Sequence, residues 1–130
     1  MHTMNEQAVF DEIAVNNQHF SKAPNAFFEH WKRGVELAGP SLFGKGTRDC
    51  LRAAVDKWEL CPNVAAIKKS IGVMSSGEKV FLAAMVSFYN SKDGGALFRR
   101  IGVQGLADLG GLDLERRKVI AALILNYTGW

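Results

Sequence analysis

This 130-residue chain contains little cysteine and little proline, with two residues of the first and three of the second. If one helix spans both Cys50 and Cys61, they lie about 16 Å apart along its axis. A disulfide needs Cα atoms within about 7 Å, so we expect no internal bridge and a reducing, cytoplasmic setting. The prolines, Pro24, Pro40 and Pro62, stand where helices can begin or end.

The patterns that mark metal, nucleophile and nucleotide sites are also missing. The histidines form neither a His-x-x-x-His nor a Glu-x-x-His pair, and the cysteines have no further ligands at zinc spacing. There is no Gly-x-Ser-x-Gly elbow, and the glycine-rich stretch 94–111 contains no phosphate-binding glycine motif. We therefore expect no metal, no cofactor and no catalytic residue.

Long apolar runs are absent as well. The longest are Val80–Tyr89, interrupted by Ser87, and Val119–Leu125. A membrane span needs about 20 such residues, so both runs predict core helices and no membrane partner. The N-terminus has no basic segment followed by an apolar one, so we expect no secretion signal.

What the chain does have is helical patterning throughout, with no sustained alternation typical of strands. The sequence predicts an all-α fold: a compact single domain over residues 1–130, built as a bundle of six to seven helices. Two central hydrophobic helices are expected at about 76–90 and 114–127.

Capping residues and glycines set the expected boundaries. Thr3-x-x-Glu6 predicts a first helix at about 4–18, which frays at Asn16–Gln18, and Pro24 opens a second that stops at Gly39-Pro40. Leu42 and Phe43 should anchor the loop that follows. A third helix should start at its cap Thr47 and end at Pro62, with Leu51, Ala54, Val55 and Trp58 on its inner face. An Asn63-capped helix to Ser70 and a capping box at Ser75–Glu78 follow. The last expected elements are a turn at 90–95, a short helix Ala96–Ile101 and an Asp113-capped final helix covered by Trp130.

The segment Leu106–Ala121 is similar to the helix-hairpin-helix pattern of non-specific DNA-binding proteins. The matching positions are Leu106, Leu109, Gly111, Leu112 and Ile120. The resemblance implies that backbone N–H groups of the hairpin Gly110–Asp113 hold a phosphate. Two positions depart from the pattern: Asp113 replaces the second hairpin glycine, and Arg117 replaces a small residue.

Basic residues surround this hairpin, in a C-terminal half that carries a net charge of +4 over residues 66–130. Cations in the first turn of a helix oppose its dipole. Either Asp113 and Glu115 offset them, or an external anion does. The nucleic-acid site would comprise Arg99, Arg100, Gly110, Gly111, Arg116, Arg117 and Lys118, with Lys68 and Lys69 as further members of the patch. On this reading, reversing Arg116 and Arg117 to Glu should leave folding nearly intact.

Aromatic residues provide the other candidate surface. Phe27, Phe28 and Trp31 share a helix, with Phe20 just upstream. They are core residues, or else a patch for a protein partner or a second copy of the chain. The leading hypothesis is a small non-enzymatic accessory or regulatory protein that binds a protein partner. Nucleic-acid binding at the hairpin is the alternative, and an enzyme with an unrecognised site remains a third possibility.

Overall fold

The computed structural model describes residues 4–130 and confirms an all-α helical bundle. Within that range the only β-type pairing is one isolated bridge between Phe43 and Pro62. Four 3-10 turns lie at Pro40–Leu42, Lys57–Leu60, Ile71–Val73 and Leu106–Gly111. The α-helices are α1 (Met4–Ala38), α2 (Arg48–Ala53), α3 (Val64–Ser70), α4 (Ser76–Tyr89), α5 (Ser91–Ile101) and α6 (Leu114–Asn126).

Helix α1 is continuous over 35 residues, so the prediction of two helices separated near 16–18 is wrong. Asn16 and Asn17 are weak helix formers, but neither blocks the helix as proline does. Pro24 lies inside the helix and removes one N–H donor, and the backbone continues through it. Since Thr3 lies outside the described residues, so does the capping box expected there.

The core centres on Trp31, which is fully buried, and on helix α4, which is buried on most sides. Leu42 and Phe43 are both buried, as predicted for the loop after α1. The ring of Trp130 lies 4.8 Å from that of Trp31, so the C-terminal residue does fold back against the core.

Helix α6 runs antiparallel to α1. At one end the Arg33 guanidinium contacts the Glu115 carboxylate at 2.8 Å. At the other end His19 Nε2 lies 2.9 Å from the carbonyl oxygen of Leu125. Val119, Ile120 and Leu123 face the core, whereas the opposite side of α6 is exposed.

The turn expected at 90–95 is instead the start of α5. Asn90 ends α4 and also caps α5, accepting a hydrogen bond from the Asp93 N–H at 3.0 Å. Gly94 then packs directly on α4, where a Cβ atom would lie 2.3 Å from Ser87 Cα. Gly94 therefore allows the close packing of α5 on α4, a use that its frequent occurrence in turns does not reveal.

The helix expected from Thr47 to Pro62 is also wrong. Thr47 does cap α2, accepting from the Cys50 N–H at 3.0 Å, but the backbone becomes extended at Ala54. Asp56 caps a separate 3-10 turn, which leaves Val55 and Trp58 exposed rather than inside. No helix spans Cys50 and Cys61, so the axial separation used above does not apply, although both cysteines are free.

The shorter capping predictions are confirmed. Asn63 accepts from the Ala66 N–H at 3.1 Å at the start of α3. Ser75 and Glu78 form the reciprocal capping box of α4. Asp113 accepts from the Arg116 N–H at 2.9 Å at the start of α6.

Candidate interaction surfaces

The hairpin before α6 consists of the 3-10 turn Leu106–Gly111 followed by Leu112 and the cap Asp113. Asp108 accepts hydrogen bonds from the N–H groups of Gln104 and Gly105 at 2.7 and 3.1 Å. These bonds hold the pKa of Asp108 below its usual value. The Asp108 carboxylate thus lies at the start of the 3-10 turn, and the Asp113 carboxylate lies at the start of α6. A phosphate bound at either helix start would be repelled by these negative charges.

Arg116 is held against the fold. Its Nη1 donates to the Asp113 carboxylate at 2.5 Å, and its Nη2 donates to the Leu37 carbonyl at 3.4 Å. The guanidinium carbon lies 5.6 Å from the centre of the Phe81 ring. Asp113, whose pKa is lowered by its bonds to the Arg116 backbone and side chain, therefore offsets this charge from within the chain.

Arg117 hydrogen-bonds to two backbone carbonyl groups of the hairpin. Its Nε donates to the Leu112 carbonyl at 2.7 Å, and its Nη2 donates to the Gly110 carbonyl. An arginine in place of a small residue thus has a local function, which is to bind the carbonyl groups that the turn exposes. Lys118, by contrast, is exposed. Because Arg116 and Arg117 make these contacts, we expect the reversal of both to destabilise the fold, contrary to the expectation from the sequence.

The other predicted basic residues lie at helix C-termini. Lys68 and Lys69 occupy the last turn of α3, and Arg99 and Arg100 the last turn of α5. Cations at these positions favour the helix dipole. Arg100 Nη1 also donates to the Lys68 carbonyl at 2.7 Å, which joins the two helix ends. Each of these positions has a role within the fold that needs no external anion.

One phosphate-loop spacing that the sequence analysis missed occurs at Gly39–Lys45, Gly-x-x-x-x-Gly-Lys, before Gly46 in place of the usual Ser or Thr. It follows a helix rather than a strand, and Leu42 and Phe43 inside it are buried. Several of its backbone N–H groups donate within the fold, that of Gly44 to the Cys61 carbonyl at 2.8 Å. The loop therefore presents no cradle for a phosphate.

The aromatic residues proposed as a partner surface are mostly core. Phe27 is 3% exposed and Trp31 is 0% exposed, so neither is accessible to a partner. Trp31 Nε1 donates to the Leu60 carbonyl at 3.0 Å, which satisfies the indole inside the core. Phe28 is half-buried, with the Lys32 ammonium 4.8 Å from its ring centre.

The exposed apolar surface lies instead on the N-terminal part of α1. We call residues 5–22 the arm: every side chain in it except the half-buried His19 is exposed. Val9, Ile13 and Phe20, the arm stripe, are 53%, 49% and 53% exposed. At 100° per residue these three positions fall on one helix face.

That face is the same one that α1 buries further along. Ala23, Phe27 and Trp31 continue the arm stripe at spacings of three and four residues, and all three are buried. The arm extends past the C-terminal end of α6, which meets α1 at His19. The helix therefore carries its core-facing pattern for about four turns beyond the elements that cover it.

Further apolar side chains lie at the base of the arm. Leu125 is 63% exposed, and Ile124 and Tyr127 are also exposed. The contact between His19 and the Leu125 carbonyl places the end of α6 beside Phe20, whose ring packs edge-on against that of His19 at 4.9 Å. The exposed side chains at the end of α6 therefore lie near the C-terminal end of the arm stripe.

A surface cavity of about 480 Å³ lies between α1 and residues 54–58. Burial lowers the pKa of Lys57, which lines it. The Lys57 ammonium donates to the Gly129 carbonyl at 2.7 Å and lies 5.1 Å from the Trp130 ring centre. This amino group is therefore used to hold the C-terminal residues in place.

Within residues 4–130, no three His, Cys, Asp or Glu side chains are grouped so that they could bind a metal ion. No helix in the same range has both the length and the apolar character that crossing a membrane requires. Comparison with protein-family models, curated proteins and solved structures gives no match to this chain.

Proposed function

We propose that this protein is a non-enzymatic accessory protein that acts by binding another protein chain, and that the arm stripe is the binding surface. The observation that carries the proposal is the exposure of Val9, Ile13 and Phe20 on the face that α1 buries elsewhere. Apolar patches that are exposed and continuous characterise protein-binding surfaces. An amphipathic helix that offers such a face is a recurrent mode of protein recognition.

The length of the arm supports the same function. An isolated helix of this length is only marginally stable in water, because most helical stability in proteins comes from packing of the apolar face. Asn16 and Asn17 add two weak helix formers to it. A partner that covers the arm stripe would supply the packing that the rest of the chain supplies to residues 23–35.

The other candidate surfaces are used within the fold. The donors of Arg116 and Arg117 bind Asp113 and hairpin carbonyls, and Arg100 binds the Lys68 carbonyl. The lowered pKa values of Asp108 and Asp113 have helix-start hydrogen bonds as their cause. These arginine and aspartate contacts favour a structural role for the side chains over phosphate binding or proton transfer. Two free, half-buried thiols suit the reducing cytoplasm that we propose as the setting.

Site-specific photo-crosslinking tests the proposal. A photoreactive phenylalanine analogue is placed at Ile13 and, as a matched control, at Val15. Val15 is 64% exposed on the same arm but lies on the other side of the helix. Irradiation in an extract of the native host should give a discrete protein adduct from position 13 and none from position 15. Equal labelling at both positions, or no protein adduct at either, would refute the proposal.

A further inference from the structure

We infer that the chain bound by the arm stripe is a second copy of this protein, with the two arms side by side and antiparallel. This inference rests on the proposed function and names the partner. The partner arm would lie along the stripe of Val9, Ile13 and Phe20 and end beside the exposed C-terminal residues of α6. The resulting interface would be isologous, each copy giving and receiving the same contacts.

The spacing of the arm stripe suits this arrangement. Ile13 and Phe20 are seven residues apart, as are Val9 and Asn16, so the four positions follow the a and d positions of a heptad. In an antiparallel pair, Val9 of one copy packs against Phe20 of the other, and Ile13 packs against Asn16. The twofold axis passes between residues 14 and 15, and each layer occurs twice.

Asn16 is the polar residue in these layers, between Ile13 and Phe20 on the stripe. In the antiparallel pair it faces Ile13 of the other copy, and a lone asparagine at a core position of paired helices costs some stability. The register is therefore set by the two layers in which Val9 packs against Phe20.

Charge along the arm favours the antiparallel orientation. Residues 5–12 carry Glu6, Asp11 and Glu12, whereas residues 13–22 carry no acidic side chain and one lysine, Lys22. A parallel pair would place each acidic half beside its own copy, and like charges at such positions are unfavourable. The antiparallel pair places each acidic half beside the half that contains His19 and Lys22.

The end of α6 extends the contact. Residues before Val9 in one arm would pass beyond Phe20 of the other, toward the exposed side chains of Leu125 and Tyr127. The contact would therefore cover the full arm, about 27 Å of helix, together with the apolar residues at its base. This continuity with the body of the protein also distinguishes the pair from two freely associating peptides.

Association is measured on the full chain by multi-angle light scattering and sedimentation equilibrium over a range of concentrations. The wild type should show reversible dimerisation. Ile13→Asp and Phe20→Asp should each raise the dimer dissociation constant roughly tenfold or more, because each buries an unpaired charge in the interface. Val15→Asp makes the same change in the same helix, off the stripe, and should leave dimerisation unchanged.

Orientation is tested by cysteine crosslinking between singly substituted chains. Mixing Val9→Cys with Phe20→Cys should give a disulfide between the two different chains under mild oxidation. A parallel pair would instead give bonds between like chains. The wild type, which keeps Cys50 and Cys61, reports the background from native thiols.

Each outcome decides the inference. A monomeric wild type at all concentrations, equal loss of dimer in Val15→Asp, or crosslinks only between like chains would overturn it. Unchanged thermal unfolding of Ile13→Asp, with loss of dimer, would place the effect in the interface rather than in folding. If crosslinking from position 13 captures a different protein while the wild type is monomeric, the proposed function stands and self-pairing fails. If position 13 captures no protein, both fail.

Discussion

The indole Nε1 of Trp31 donates a hydrogen bond of 3.0 Å to the carbonyl oxygen of Leu60. Both residues are buried, and they lie 29 positions apart in the chain. This bond joins the C-terminal part of α1 to the 3-10 turn after α2, at the centre of the aromatic cluster that includes Phe43 and Trp130. It explains why Trp31 belongs to the core although the sequence leaves a surface role open.

Trp31→Phe should therefore destabilise the protein. The substitution leaves the Leu60 carbonyl without its partner in a buried site, which costs about 1–3 kcal/mol. Loss of the second ring also leaves a cavity, which adds to that cost. Trp58→Phe is the control, because Trp58 is mostly exposed. Urea unfolding should give a clearly lower midpoint for Trp31→Phe, and equal midpoints for the two variants would contradict the prediction.

Gly94→Ala and Gly95→Ala should change stability in opposite directions. Alanine is the better helix former by about 0.5–1 kcal/mol, so propensity alone favours both changes. At Gly95 the new Cβ meets only the end of Arg99, at 3.6 Å. At Gly94 it would lie 2.5 Å or less from Ser87 Cα and Cβ, so α5 must move away from α4.

We expect Gly95→Ala to stabilise the protein by about 0.5–1 kcal/mol and Gly94→Ala to destabilise it by about 1–3 kcal/mol. Thermal unfolding followed by circular dichroism measures both. A stabilised Gly94→Ala would show that the close approach of α4 and α5 at this point does not exist.

Arg117→Glu should destabilise the hairpin, whereas Lys118→Glu should not. The first change removes the donors to the Leu112 and Gly110 carbonyls, and hydrogen bonds to charged groups contribute about 1.5–3 kcal/mol. It also places a carboxylate against those oxygens. Lys118 is exposed, and an exposed substitution is expected to change stability by about 0.5 kcal/mol or less.

Chemical denaturation of the two variants tests this difference, since both make the same change in charge. Hydrogen exchange at residues 106–113 should increase in Arg117→Glu only. Equal unfolding free energies for the two variants would restore the view that Arg117 is a free surface charge.

Stability should fall on acidification. Three carboxyl groups have pKa values lowered in the folded state, Glu78 chiefly by hydrogen bonding to Ser75, Asp108 by the Gln104 N–H and Asp113 by the Arg116 N–H. A carboxyl group whose pKa is lower in the folded than in the unfolded protein stabilises the fold. This contribution is fully present above the pKa of the unfolded state, which is about 4 for these groups. That contribution is lost as the pH falls through the lowered values.

The urea midpoint should therefore be constant near neutral pH and decrease below about pH 4. Asp108→Asn should show a weaker decrease, because one of the three linked groups no longer titrates. If the midpoint of the variant depends on pH as steeply as that of the wild type, the hydrogen bonds from Gln104 and Gly105 to the Asp108 carboxylate do not contribute to the pH dependence of stability.

Several local features were predictable because partners within three or four residues decide them. The caps at Thr47, Asn63 and Asp113 and the box at Ser75–Glu78 all form as expected. Each side chain binds an N–H three positions away, so no distant residue is needed. The candidate surface was only partly predictable. The apolar spacing of Val9, Ile13 and Phe20 is visible in the sequence, but residues 16–18 suggested that a helix ends there.

By itself the sequence determined the all-α class, most helix starts and the loop anchors, since helical periodicity and capping are properties of neighbouring residues. The tertiary structure decided which apolar and charged groups remain accessible. Trp31 and Phe27 are covered by residues far along the chain. Arg117 donates hydrogen bonds to hairpin carbonyls. The end of α6 meets α1 at His19, which leaves the arm stripe uncovered. Burial depends on where distant elements end, and local sequence does not encode that position.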